Sequence, residues 1–362
     1  MSLAERLAAS TLQLVDVASV SRDEGTLLDL LQERLASGPG LVLEDGGDAV
    51  RLFLPGARRP DVPLVVFAGH ADTVPVGGAA FPGRREDDAV VGRGAADMKG
   101  GLSVLLALAE AGASSPSMDL GYLVFGREEL PIAESALLPL LERCPALRDT
   151  ALAIVLEPTS NAIEAGCNGN LTARVTVDGV AAHAARPWLG DNAIATALDV
   201  LATLTRHPIR DTEIEGLVFR EVVSVTTIEG GSVPNVVPDR VTATVNLRYA
   251  PDRSPEAAEG VLRGLLGADP RVRLEILGNA PPGPVHLSNP LVRRLRAAGD
   301  LTVGPKQAWT PVAEFAMAGV DAVNFGPGDP RYAHRDEERV DVAALVRAHG
   351  VLTAFLAETG GN

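Results

Sequence analysis

Cysteine is nearly absent from this 362-residue chain, with Cys144 and Cys167 the only two. No disulfide framework can be its main support, and a reducing compartment is the natural setting. Long apolar runs are missing as well. No stretch offers the roughly 18 uncharged apolar residues that a membrane span requires. The N-terminal MSLAERLAASTLQLVDVAS carries charges inside its apolar pattern, so no signal-peptide core is expected. Positive charge is outweighed, with 32 Lys and Arg against 47 Asp and Glu and a formal net charge of −15. That balance argues against nucleic acid or an anionic membrane surface as a partner, although local arginines can still hold an anionic small molecule. Internal repeats and low-complexity tracts are absent too. The expectation is a cytoplasmic globular protein.

Hydrophobic residues make up 46% of the chain, ample for sizeable cores. The length exceeds what one core usually supports, which points to two domains. Ser21-Arg22-Asp23-Glu24 reads as a capping box opening a helix through LLDLLQERL. LVLEDGG, VRLFLPG and PLVVFAGH read as strands, Lys99 to Ala113 as a helix, and GYLVFG and ALAIVLE as buried strands. Near-continuous apolar strands separated by helices predict an α/β fold with a mostly parallel sheet covered on both faces.

From about Leu171 the rhythm changes. LTARVTVDGV, GDNAIATALDVLATLTRH, VVSVTTIEGG, VTATVNLRYA, SPEAAEGVLRGLLG and VRLEILG follow in the order β-α-β-β-α-β, that of a ferredoxin-like unit. Pro281-Pro282-Gly283-Pro284 reads as a hinge or linker. The α/β character then returns, with AVNFGPG as a strand and a closing helix through LVRAHGVLTAFLAE. The expected division is 1–171 with 283–362 as one domain and 172–282 inserted into it.

Few residues carry chemistry. His70-Ala71-Asp72 closes an apolar strand, where residues i and i+2 share a face. His70 could bind a metal with Asp72 holding its second nitrogen, or simply end the strand as a hydrogen-bonded histidine. Asp97, in GRGAADMKGG, could bridge two ions or cap a helix in a glycine-rich turn. Glu128-Glu129 could divide ligand and proton-transfer roles or form a solvated acidic turn. Glu157 follows six apolar residues and calls for a partner. His334 comes shortly after AVNFGPG. Taken together, the set falls at strand ends, where open α/β sheets bind ligands. Two histidines with carboxylates, and no cysteine, suit zinc or a similar divalent ion.

The motifs AGHADTVP, GRGAADMKGG, REE, EPT, GVAAHAARPWLGDNAI, SVPNVVPDRVTATVNLRY and NFGPGDPRYAHRDEE, in that order, span nearly the whole chain. Together they resemble the co-catalytic di-zinc deacylases and exopeptidases that include succinyl-diaminopimelate desuccinylase, acetylornithine deacetylase and aminoacylase. The resemblance implies a zinc-exopeptidase-like catalytic domain and an inserted lid and dimerisation domain. It implies two divalent ions, zinc first, with cobalt or manganese as replacements at one position. Asp97 would bridge them, His70 and Glu157 completing one site and Glu129 and His334 the other. Glu128 would be the general base that takes a proton from the bridging water, and Asp72 would orient His70. His183 would steady the carbonyl oxygen, commonly from the partner subunit of a homodimer. Asn235, Arg248 and Arg186 would contact substrate, while His207, His286 and His349 have no such context.

Within the family, GCNGNL, AHAARPWLGDNAI and AVNFGPGDP read most like desuccinylases of actinobacterial type. The implied substrate is N-succinyl-LL-2,6-diaminopimelate, with acetylornithine and other small anionic N-acyl-amino acids as alternatives. A homologue that binds metal or ligand without catalysis is the alternative of another class. Two departures stand out: Arg127 where the family has an acidic or small polar residue, and Pro311 where it commonly has aspartate.

Overall fold

The structure is a computed structural model and describes residues 1–75 and 81–357. Contacts divide the chain into two compact units. The first comprises Met1–Gly166, His286–Pro305 and Thr310–Asn362. The second comprises Cys167–Val285 and Lys306–Trp309.

The first unit is built on a mixed eight-stranded sheet. Its strands are β1 (Leu41–Asp45), β2 (Val50–Pro55), β3 (Leu64–His70), β6 (Asp119–Phe125), β7 (Thr150–Val155), β8 (Ile163–Ala165), β16 (Val303–Pro305) and β17 (Ala322–Asn324). They lie in the order β1-β2-β6-β3-β7-β17-β8-β16. The centre is parallel, with β3 beside both β6 and β7, and β17 beside β7. Elsewhere β1 with β2, β2 with β6, and β17 with β8 run antiparallel. β8 and β16, at the far edge, are parallel again, so four of the seven neighbouring pairs are parallel and the sheet is mixed. Short connections at the margins, such as that between β1 and β2, permit only a hairpin.

Every residue of β3 and of β6 is buried, as parallel strands covered on both faces must be. The covering helices include α1 (Leu3–Val15), α2 (Gly25–Ala36), α3 (Gly100–Glu110), α8 (Pro290–Gly299) and α10 (Val342–Ala357). A Ser2–Glu5 capping box starts α1, and Asn289 caps α8 ahead of Pro290. Between β6 and β7 lie α4 (Leu137–Arg143) and α5 (Pro145–Arg148), and α9 (Val312–Met317) packs on β7 and β17. A small sheet joins β4 (Arg84–Glu86), β5 (Ala89–Val91) and β18 (Arg339–Asp341), with β5 central. The last residue expected in the closing helix, Glu358, lies outside the described residues.

The second unit has an antiparallel five-stranded sheet and two helices. Its strands are β9 (Gly169–Asp178), β11 (Arg210–Ile214), β12 (Leu217–Gly230), β14 (Arg240–Tyr249) and β15 (Val272–Ala280), in the order β11-β12-β14-β9-β15. Leu171, Ala173, Val175 and Val177 on β9 face a core with Val241, Val245 and Leu247 on β14. That core is completed by α6 (Ala193–Thr205), capped by Asn192, and α7 (Pro255–Leu266), capped by Ser254. The alternating residues of β9 and β14 form a polar second face. A two-stranded ladder pairs β10 (Ala182–His183) with β13 (Val236–Val237). β11 escapes sequence reasoning because RDTEI carries little apolar patterning. Pro281 to Pro284 is no free linker, since Gly283 and Cys167 exchange two backbone hydrogen bonds of 3.0 Å. Among the described residues, no helix is long and apolar enough to cross a membrane.

One close approach fixes the base of the site. A Cβ on Gly101, at the start of α3, would overlap the carbonyl oxygen of Leu156, next to Glu157. Backbone cannot swing aside as a side chain can, so Gly101→Ala is expected to destabilise the first unit by about 1–3 kcal/mol. A shift of the denaturant midpoint is the measurement. An unchanged midpoint would show that this contact carries no constraint.

Candidate metal centre

Because β3, β6, β7 and β17 run parallel, their C-terminal ends share one edge of the sheet, and the polar residues follow there. His70 is the last residue of β3, almost wholly buried. Asp72, two residues on, is fully buried and spends both carboxylate oxygens locally. Oδ1 accepts from the Glu128 N–H at 3.0 Å. Oδ2 accepts from the Glu129 N–H at 3.1 Å and from the Ser21 hydroxyl at 2.7 Å. The loop after β6 is thus pinned at the two residues whose carboxyls matter.

Ser21 is a correction to the sequence reading. It does not cap α2, which opens after Glu24 with no side-chain cap. The helix begins only at Gly25, with Glu24 in the cap position, and the Ser21 hydroxyl makes a charge-assisted hydrogen bond to the buried carboxylate.

The His70 ring is held between two neighbours. Nδ1 lies 3.0 Å from the Asp72 carbonyl oxygen and 3.6 Å from its Oδ1, so the carbonyl makes the hydrogen bond and the carboxylate acts through charge. Nε2 faces outward, 3.1 Å from Asp97 Oδ1 and 3.7 Å from Glu157 Oε1. The other Asp97 oxygen, Oδ2, lies 3.5 Å from His334 Nε2, which sits 2.9 Å from Glu129 Oε1. Asp97 therefore offers one oxygen to each histidine. His70, Asp97 and Glu157 form one group with potential ligand atoms within 4.8 Å of one another, and Asp97, Glu129 and His334 form another. Glu128 joins His70 and Glu129 in a third.

The electrostatics are those of a crowded anionic site. Glu128 keeps some residue surface, but its carboxyl lies deep. Burial, with the nearby charges of Glu129, Glu157 and Asp97, raises its pKa well above the usual range against the pull of His70. Burial opposes charge on His70, yet hydrogen bonding to Asp72 and Asp97 and the charge of Glu128 hold its pKa well above the ordinary value. Hydrogen bonds to Asp97 and Glu129 raise His334 to about 10, against partial burial. Burial pushes Asp97 up, but hydrogen bonds from His334 and His70 win and lower it.

These residues fit divalent cations. Oxygen and imidazole donors converge without thiolates, a zinc-type donor set. The His70 nitrogen turned away from that set is fixed by a carbonyl, the usual support of a metal-binding imidazole. The nitrogens facing the carboxylates are the ones a cation would take from protons.

The remaining residues singled out in the sequence lie in the second unit. His183 ends β10 opposite Val236, and its Nδ1 accepts from the Ala185 N–H at 3.1 Å. Asn235 adjoins it, its carbonyl accepting from the Ala184 N–H at 2.9 Å. The exposed Arg186 donates its N–H to the His183 carbonyl at 2.7 Å. Arg248, on the polar face of β14, donates through Nε to Asn246 Oδ1 at 2.9 Å. Asn246 in turn donates to Asn170 at 2.7 Å.

Of the two departures, Arg127 pairs with Asp48 at 2.7 Å and approaches the buried Glu24 at 3.9 Å. Pro311 stands at the cap of α9 with φ −57°, where its fixed φ suits a helix start and no N–H is missed. Sequence reasoning passed over Ser21 as a site residue and did not single out Glu338, which accepts from the Asp97 N–H at 3.0 Å. Its signal was its place as the last residue of the run NFGPGDPRYAHRDEE, four positions after His334.

The model of peptidase family M20/M25/M40 matches residues 66–358. A Mycobacterium tuberculosis protein provisionally named succinyl-diaminopimelate desuccinylase is 39% identical over 351 residues, covering 96% of each chain. The Corynebacterium glutamicum protein named succinyl-diaminopimelate desuccinylase is 34% identical over 358 residues, covering 96% of this chain and 95% of its own. Among solved structures, a Bacillus subtilis protein described as a dinuclear metal-binding peptidase of the M20 family superposes with a TM-score of 0.68 at 14% identity. That match covers 98% of this chain and 97% of the other.

Metal uptake competes with protons here, because hydrogen bonds to Asp72 and Asp97 raise the pKa of His70 and hydrogen bonds to Asp97 and Glu129 raise that of His334 to about 10. Affinity is therefore expected to fall as pH falls, by roughly tenfold per pH unit for each proton released. Calorimetric titration with Zn2+ in buffers of different ionisation enthalpy measures this directly. Uptake that is independent of pH between 6 and 8 would refute the assignment of these histidines as ligands.

Proposed function

The chain belongs to peptidase family M20/M25/M40 and is a metal-dependent hydrolase of amide bonds, and we propose that its substrate is N-succinyl-LL-2,6-diaminopimelate. The observation that carries the substrate is the near full-length similarity, at 34% and 39% identity, to relatives bearing the desuccinylase name.

In this reading His70, Asp97 and Glu157 hold one divalent ion, and Asp97, Glu129 and His334 hold the second. Zinc is the first choice, with cobalt or manganese able to replace it at one position. Bound there, two such ions supply Lewis acidity that polarises the amide carbonyl and lowers the pKa of water. Glu128 takes the proton from the attacking water and passes it to the leaving nitrogen as the carbon–nitrogen bond breaks. Asp72 keeps the Glu128 and Glu129 backbones in place and turns His70 toward Asp97. The products are succinate and the free diamine.

The second unit supplies recognition. Arg248, Asn235 and Arg186 contact the substrate, whose several carboxylates suit guanidinium partners. His183 donates to the oxygen that gains negative charge. The strand order β15-β9-β14-β12, with two helices packed in its core, supports the ferredoxin-like reading of this unit as lid and dimerisation domain. Homodimerisation through it is supported by an unusual surface. Trp188 is 75% exposed, and Val180, Leu189, Leu198 and Ile228 also lie in the open. Among the described residues, Val222 to Gly230 of β12 pair with β14 alone, leaving an edge for a second copy. The buried free cysteines, Cys144 and Cys167, support a cytoplasmic setting.

Zinc-loaded protein is expected to cleave N-succinyl-LL-2,6-diaminopimelate, and Glu128→Ala to cut kcat by roughly 10²–10⁴-fold while both ions still bind. Steady cleavage of acetylornithine with none of the succinyl substrate would sink the substrate assignment and leave the hydrolase in place. If His183 acts across the dimer, mixing His183→Ala with Glu128→Ala subunits will restore partial activity. Mixed dimers, verified by sedimentation, that stay as inactive as either parent would exclude a contribution in trans.

A further inference from the structure

Glu338 is a buried carboxylate, 1% exposed, that the proposed reaction does not use. It stands four residues after His334, immediately before β18. Its Oε1 accepts from the backbone N–H groups of Asp97 at 3.0 Å and Ala96 at 3.2 Å. Its Oε2 accepts from Arg93 Nη1 at 2.7 Å, and Arg93 is itself 5% exposed. The same guanidinium nitrogen donates to the Arg335 carbonyl at 3.2 Å. The Glu338 carbonyl accepts from the Gly92 N–H at 2.8 Å. One residue therefore grips both ends of the segment from Gly92 to Asp97 and ties it to the segment that carries His334.

A third carboxylate beside Asp97 is otherwise a liability, since like charges at short range oppose one another. Its retention in a buried position is accounted for if its N–H contacts are needed. Asp97 must present Oδ1 toward His70 and Oδ2 toward His334, and a small rotation of its backbone would spoil both. We propose that Glu338, with Arg93 as its counter-ion, is a positioning residue that holds the Asp97 backbone so that each oxygen faces one metal position. The inference rests on the two-metal reading above. It distinguishes Glu338 from a residue serving the fold alone, because Asp97 is common to both groups and its displacement weakens both positions together.

The test is calorimetric titration of metal-free, full-length protein with Zn2+, alongside thermal unfolding by circular dichroism. Glu338→Gln keeps an oxygen for the Asp97 N–H but loses the charge facing Arg93, so affinity at both positions is expected to fall roughly tenfold. Arg93→Met/Glu338→Met replaces the pair with apolar groups, an exchange cores often tolerate. It removes the acceptor entirely, and a fall of roughly a hundredfold is expected at both positions. His334→Ala is the control and should weaken one position only. If both Glu338 variants unfold cooperatively and take up two ions with wild-type affinity, the positioning role is wrong. Wild-type protein that takes up no ion would overturn the two-metal reading and this inference with it.

Discussion

Negative charge gathered away from water is the constraint on which the rest of this structure depends. Asp72, Asp97, Glu128, Glu129 and Glu157 converge at one edge of the central sheet with His70 and His334 among them. Carboxylates buried together raise one another's proton affinity, as Glu128 shows. Such a cluster persists in a folded protein only when cations or protons meet its charge and when its geometry is held from outside. The donor set answers the first need, and the surrounding hydrogen bonds answer the second.

Those hydrogen bonds come largely from the backbone. Asp72 accepts from two successive N–H groups at Glu128 and Glu129, Glu338 accepts from two at Ala96 and Asp97, and the Asp72 carbonyl takes the His70 ring. Backbone groups already fixed by strands and turns lose little further freedom when they bind, so they orient side chains at low entropic cost. Gly101 belongs to the same arrangement, letting α3 lie directly on Leu156 below Glu157. The second unit shows a parallel logic on its polar face, where Asn170 and Asn246 brace Arg248.

Much of this was legible beforehand. The strands ending at His70, Phe125 and Val155 announced themselves as apolar runs, and the polar residues just past them marked the site because parallel strands put their ends together. In the second unit β9, β12, β14, β15 and the helices α6 and α7 were readable from alternation and caps. Other features were not. The antiparallel strand pairs, β11 and the short β8 and β16 carry too little patterning to signal pairing. Ser21 matched a capping box by spacing, yet its hydroxyl serves Asp72, 51 residues away. Glu338 lies 241 residues from the Asp97 N–H it accepts, and no local pattern encodes such a partner.

By itself the sequence determined the periodicities, hence the elements, and the kinds of donor available at strand ends. Those follow from each residue's own chemistry and its near neighbours. Only the tertiary structure decided that the two oxygens of Asp97 face different histidines, that Asp72 holds the Glu128 and Glu129 backbones, and that Arg93 and Glu338 clamp Asp97. Contacts of that kind depend on where distant segments meet, and strand order and packing set those meetings after local preference has been satisfied.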